Sequence, residues 1–206
     1  MDSLIFGYGS LMDRRSRCST IPDATFAIPA YVKGLARSWN MRSQRSPSTM
    51  TYLGATFIAT KECNGVLFKT PNTALKNLDR RERNYQRERL DPNQIRLLDT
   101  SAEVPDGDIW VYISPSEKAP DASFPIVQSY LDICLNGCLE IEQEFGSSRA
   151  CSFASDFIQS TANWSTHWIN DRRCPRRPQA YITTTRTSDI LLSEYQAEFF
   201  KSRQEY

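Results

Sequence analysis

Two segments of this chain bring together residue types that do chemistry. The first is Leu4-Ile5-Phe6-Gly7-Tyr8-Gly9-Ser10-Leu11-Met12, a short apolar run opening into a glycine-flanked turn. Gly7 and Gly9 predict backbone angles closed to other residues, and they let a ligand approach the main chain closely. Consecutive N–H groups exposed in such a turn form a nest for an anionic oxygen. The spacing thus predicts a site built by main chain, with the reactive side chain supplied from elsewhere.

The second segment is Leu78-Asp79-Arg80-Arg81-Glu82-Arg83-Asn84-Tyr85-Gln86-Arg87. If a helix reaches Glu82, then Leu75, Leu78 and Glu82 share one face. Two of the three are apolar, so Glu82 points inward, while Arg80, Arg81 and Arg83 face elsewhere. An inward carboxylate is costly unless partnered. Two readings stand side by side: a structural ion pair with a nearby arginine, or a carboxylate held for chemistry. Other glycine-turn chemistries fit less well. A dinucleotide turn needs a third glycine where Met12 stands. A serine-hydrolase elbow needs G-x-S-x-G, which Gly9-Ser10-Leu11 does not supply.

Gly7-Tyr8-Gly9-Ser10-Leu11 resembles the substrate loop of the gamma-glutamyl cyclotransferase family, especially its ChaC-type branch. Leu78-Asp79-Arg80-Arg81-Glu82, with Tyr85 soon after, resembles the segment carrying that family's catalytic glutamate. The resemblance covers residues 1 to about 115. It implies an α+β fold, a small mixed β-barrel flanked by helices. It also implies intramolecular aminolysis without cofactor or metal: the substrate α-amino group attacks its own γ-carbonyl and releases 5-oxoproline and an amine. In that reaction Glu82 is base, then acid. Tyr8, Gly9, Ser10 and Leu11 hold the γ-glutamyl group, and Tyr85 contacts substrate or supports the site. The chain departs from ChaC-type loops at Met12-Asp13 and at Arg83-Asn84, which bears on the substrate more than on the reaction. The alternative is a non-catalytic module of the same fold that binds a γ-glutamyl or acidic ligand, or a protein partner.

The elements that must position these residues are legible in outline. Strands are predicted at Ser3–Tyr8, Ala30–Lys33, Leu35–Met41, Gly54–Thr60 and Gly65–Thr70, with a hairpin turn at Asn64-Gly65. Thr70-Pro71 predicts a helix start. Further strands are predicted around Tyr85–Leu90, Gln94–Leu98 and Asp108–Ser114. Val127, Leu131, Cys134, Cys138, Ile141 and Phe145 keep helical spacing, so Pro125–Phe145 is the longest helix, ending at Gly146. A short helix at Ser152–Gln159, a strand at Ala180–Thr184 and an amphipathic helix at Asp189–Phe200 follow. Strands early and helices late argue α+β. One domain over 1–206 is expected, with a C-terminal helical extension over about 187–206.

Composition bounds the function. A 40% apolar, 24% charged chain of 206 residues with net charge +1 reads as an ordinary globular domain. That balance argues against a nucleic-acid or membrane partner, and the family resemblance implies a small-molecule one. The arginine clusters at Arg14–Arg17, Arg80–Arg89 and Arg172–Arg177 read as solvated faces. No apolar run nears the ~18 residues of a membrane span, and no signal-peptide pattern precedes the first strand, so a cytoplasmic location is expected. The six cysteines then read as free packing thiols. With one histidine and no C-x-x-C pair, no metal site is expected. Trp164–Arg173 is either a lid over the site or a tryptophan-anchored packing loop, and the loop reading is preferred. His167 has no triad partners in sequence.

Overall fold

The computed structural model describes residues 2–43, 49–146, 152–177 and 181–206. Its elements run β1 (Asp2–Gly7), α1 (Arg14–Cys18), β2 (Ile28–Ser43), β3 (Met50–Pro71), α2 (Leu75–Arg81), β4 (Gln86–Leu90), β5 (Ile95–Leu97), β6 (Ile109–Ile113), β7 (Ile126–Val127), α3 (Gln128–Phe145), α4 (Phe153–Ser160), β8 (Thr161–Ala162), β9 (Trp168–Asn170), α5 (Thr185–Tyr195), α6 (Ala197–Ser202) and β10 (Gln204–Glu205). The architecture is α+β, a mixed sheet with helices against it. β1 lies centrally, antiparallel to β3 and parallel to β6. The long strands β2 and β3 pair antiparallel from Ile28↔Leu67 to Ser43↔Met50. The sheet curls until Ser114 N–H, just past β6, donates to Ala55 O in the middle of β3 at 2.8 Å.

Several local expectations are corrected. Ala30–Lys33 and Leu35–Met41 belong to one strand, which bulges where Gly34 takes a φ of +80°. A glycine there absorbs the extra residue of the bulge. Asn64-Gly65 is no hairpin turn: it lies within β3, opposite Tyr31 and Ala30. The Asn64 side chain is committed to Arg37 and to the Phe153 carbonyl, so its turn preference is overridden by tertiary bonds. Thr70 caps no helix; it pairs with Ser3 in the sheet, and a 3-10 turn at Asn72–Ala74 leads into α2. Of the predicted Ala180–Thr184 strand, Ala180 lies outside the described residues. Tyr181–Thr184 is irregular, its side chains bonding to Asp13 and Asn136. The C-terminal helix is two helices broken at Gln196, and Leu192 of α5 packs into the core of this same chain.

α3 is the hub of the helical layer. Gln128 to Cys138 are all buried, so its polar residues need partners. Gln128 donates to Asp132 at 2.8 Å, and Asp132 takes the Arg172 guanidinium at 2.7 Å. Asn136 donates to Asp13 at 2.8 Å. Cys134 and Cys138 fill the apolar side of the helix, and burial pushes the Cys134 thiol up to about 12. The described cysteines are all free; Cys151 lies outside the described residues. Among the described residues, no helix is long and apolar enough to cross a membrane.

Candidate active site

The turn after β1 closes on one backbone bond, Met12 N–H to Gly9 O at 2.9 Å. Neither Gly7 nor Gly9 adopts the left-handed backbone that the sequence suggests. Close packing demands them instead. A Cβ on Gly7 would lie 2.8 Å from Leu11 Cβ, and one on Gly9 would lie 3.1 Å from the Tyr130 hydroxyl.

Buried arginines hold the carbonyls of this turn. Arg37 Nη1 donates to Tyr8 O at 3.1 Å. Arg17 Nη1 donates to Leu11 O at 3.1 Å and to Met12 O at 2.9 Å. Arg17 is therefore no part of a solvated face; it is 3% exposed. The Tyr8 carbonyl and the Gly9 N–H share one planar trans peptide, so that N–H points away from Arg37. Among the described residues, nothing accepts from the N–H groups of Gly9, Ser10 and Leu11. Gly9, Ser10 and Leu11 line a small cavity of about 30 Å³ together with Glu82, Tyr85 and Tyr130. A space that size holds about one small polar group.

Glu82 sits at the C-terminal end of α2, its N–H bonded to Leu78 O at 2.7 Å. Leu78 is buried, so the shared inward face predicted from the spacing is present. Glu82 lines both the small cavity and an adjoining one of about 230 Å³, which also touches Tyr52, Arg81, Tyr130 and Arg177. Arg80 and Arg83 are exposed, but Arg81 does not face elsewhere: its Nε meets Glu82 Oε1 at 3.0 Å. The other four Arg81 N–H groups go to Ser16 O, Thr20 Oγ1, Ser10 Oγ and Ser16 Oγ. Arg81 thereby ties the carboxylate to the turn and to α1. Burial raises the Glu82 carboxyl above its ordinary value, against the downward pull of Arg81 and Arg177. Desolvation outweighs the ion pair because the carboxylate has lost most of its water.

Tyrosines wall the site. Tyr8 donates to Tyr112 O at 2.6 Å and Tyr85 to Leu53 O at 2.7 Å. Tyr52 meets Tyr130 edge-on at 4.8 Å. Burial pushes the Tyr8, Tyr85 and Tyr130 phenols well up, so they stay neutral. Tyr8, Gly9, Ser10, Leu11, Glu82 and Tyr85 are therefore brought together. Tyr52, Tyr130 and Arg177 join them without having been singled out. Only Arg177 left a trace, as a member of the Arg172–Arg177 cluster.

Other singled-out features lie apart. Trp164 packs edge-on against Trp39 at 5.5 Å, and Trp168 against Phe200 at 5.9 Å, so this segment is a packing loop leading into β9. His167 is exposed. A roomier groove of about 750 Å³ lies between β2, β5 and α4. Its charged side chains are already paired, Asp156 with Tyr31 and Arg96 with Glu62, so it presents less unsatisfied charge than the Glu82 cavities. Among the described residues, no group of three or more His, Cys, Asp or Glu side chains is placed to hold a metal ion.

Comparison with known proteins bears on the family and the fold. A family model described as "Gamma-glutamyl cyclotransferase, AIG2-like" matches residues 5–130. The chain belongs to that family. Among solved structures it is similar to one titled "Gamma-glutamyl cyclotransferase", at 14% identity and TM-score 0.57, covering 93% of this chain and 98% of the other. It is also similar to the human uncharacterized protein loc79017, at 15% identity and TM-score 0.58, covering 92% and 98%. YkqA from Bacillus subtilis matches at 17% identity and TM-score 0.50, covering 70% of this chain and 53% of that one. At these identities the likeness is one of fold. No curated protein matches the chain.

Proposed function

We propose that this protein is a cofactor-independent γ-glutamyl cyclotransferase with Glu82 as its base and acid. The observation that carries the reading is one juxtaposition. A largely buried carboxylate with a raised affinity for protons lies across a small cavity from a turn whose N–H groups are unspent.

The chemistry follows from that placement. The substrate α-amino group is mostly ammonium at neutral pH, so a base must free its lone pair. Glu82 takes that proton. The amine nitrogen then bonds to the γ-carbonyl carbon, and the carbonyl oxygen gains charge. Donors already fixed at that point stabilise it without reorganising. The small cavity has room for this oxygen beside Gly9, Ser10 and Leu11. As the tetrahedral carbon collapses, its bond to the leaving nitrogen breaks and Glu82 gives that nitrogen the proton it holds; the freed carboxylate then takes the second proton from the ring nitrogen, positive since it bonded, and passes it to the departing amine. One carboxylate therefore serves both steps, for about 10²–10⁴-fold in rate. Positioning contributes the rest, because the reacting groups already share one molecule.

The test is a panel of glutathione, γ-glutamyl dipeptides and γ-glutamyl amines, each scored for 5-oxoproline. Turnover of any of them supports the reading. Binding without turnover of any would favour the non-catalytic module, a reading that the 3.0 Å Arg81–Glu82 pair also suits.

A further inference from the structure

Three arginines line the 230 Å³ cavity, Arg81, Arg83 and Arg177. They are not equivalent. Arg81 is spent: all five of its N–H groups already have acceptors. Arg83 is exposed at the rim and faces water. Arg177 is partly buried, and among the described residues no carboxylate or other acceptor meets its guanidinium. A partly buried cation that lines a cavity and has no fixed acceptor is available to an anion that enters it.

The backbone beneath Arg177 is held firmly. Its N–H donates to Ser129 Oγ at 3.1 Å. Ser129 Oγ donates in turn to Asp171 Oδ2 at 2.6 Å, and the same oxygen accepts from Arg176 N–H at 2.7 Å. Asp171 is fully buried, and its other oxygen accepts from Ser129 N–H at 2.7 Å. This clamp fixes the Arg176–Arg177 backbone against the first turn of α3, one residue before Tyr130, which lines both cavities. A guanidinium without an acceptor among the described residues, on a fixed backbone and lining the same cavity as Glu82, whose charge it acts on, suits an incoming anion.

Resting on the proposed cyclotransferase reaction, we infer that Arg177 is a specificity residue that grips a carboxylate on the leaving half of the substrate. The preferred substrate class is then γ-glutamyl amino acids or peptides with a free carboxylate rather than γ-glutamyl amines. The division of the site supports this assignment. The unspent turn N–H groups serve the acyl end in the inner cavity. Arg177 lies in the outer cavity, where whatever departs must sit. Arginine suits the task because its planar fork meets a carboxylate through two parallel bonds.

The test compares γ-glutamyl-glycine with γ-glutamyl-glycinamide, which differ by one charge. Wild type should favour the acid in kcat/KM by about 10- to 100-fold, the range of a charge-assisted hydrogen bond. In Arg177→Gln that ratio should collapse toward one, mainly through KM, and Arg177→Lys should restore part of it. A ratio unchanged by Arg177→Gln overturns the inference, including the case where both substrates fall equally because Arg177 serves the α-carboxylate they share. If wild type turns over neither compound, the cyclotransferase reading stands or falls on the wider panel of γ-glutamyl substrates. Calorimetric binding of the two compounds then decides Arg177 separately. Tighter binding of the acid by wild type, lost in Arg177→Gln, sustains the carboxylate grip, and equal or absent binding overturns it.

Discussion

The Arg37 guanidinium, with no exposed surface, donates to the Tyr8 carbonyl at 3.1 Å from behind the Gly9–Leu11 turn. Its remaining bonds go to neutral oxygens of Asn64, Phe157, Ser160 and Thr161, and it stacks 3.9 Å over the Phe157 ring. A buried cation compensated only by dipoles is a positioning device for the backbone around it. Arg37→Met removes the desolvation of the charge but orphans several buried carbonyls, at about 1–3 kcal/mol each. The orphaned acceptors outweigh the relief. Stability should fall by roughly 3 kcal/mol or more, and at about 2–4 °C per kcal/mol the melting temperature by roughly 6–12 °C. A melting curve at or above wild type would contradict this account of the turn.

Glu82→Gln should keep the melting curve and circular dichroism close to wild type while lowering 5-oxoproline release by about 10²–10⁴-fold. Glutamine retains the shape but can neither take nor return a proton. Full activity in this variant would remove Glu82 from the mechanism.

The pH profile should carry the mark of burial. Glu82 acts as a base only when ionised, so kcat/KM should fall as pH drops through its folded value, at a midpoint above the ordinary 4.5. Arg81 pulls that value down, so Arg81→Met should move the acid limb to higher pH. The same shift has a stability counterpart. The folded state holds this proton more tightly than the unfolded chain, so stability declines as pH rises between the two values. Glu82→Gln should flatten that decline, as read from denaturant midpoints across pH.

Gly137 lies where α3 crosses the end of the turn. A Cβ there would sit 2.6 Å from the Met12 carbonyl carbon and 2.9 Å from Asp13 Cα. On an exposed helix, glycine to alanine gains up to about 1 kcal/mol. Here overpacking should win, costing about 1–3 kcal/mol and pushing the turn out of place. Gly137→Ala should lower both stability and kcat/KM, and a more stable, fully active variant would show that the contact relaxes freely.

How far the sequence could be read follows from which interactions are local. The first strand, α2 with its inward Glu82 and the long α3 obey short-range rules of pattern and capping, and they stand close to where those rules put them. Asn64-Gly65 misleads because its turn preference is weaker than the bonds Asn64 makes to Arg37 and Phe153. Gly7 and Gly9 point to the right turn for the wrong cause: backbone freedom was read where neighbouring side chains demand space. Arg37 had a usable signal. It alternates with Leu35 and Trp39 in β2, both fully buried, so a period of two places it on the inward face. Tyr130 had none and Arg177 only its place in an arginine cluster, because their approach to Glu82 depends on how distant segments dock. Arg17 reads as one more surface charge until the fold closes over it.

The bond from Asn136 to Asp13 joins residues 123 apart in sequence, and that from Arg37 to Thr161 spans 124. Arg17, Arg37 and Arg81 hold the turn directly, and these two bonds tie its surroundings to the far half of the chain. Contacts of such separation carry a large loop-closure entropy and form late in folding. The turn should therefore gain its full rigidity only when the fold closes around it, rather than piecemeal as the sheet forms.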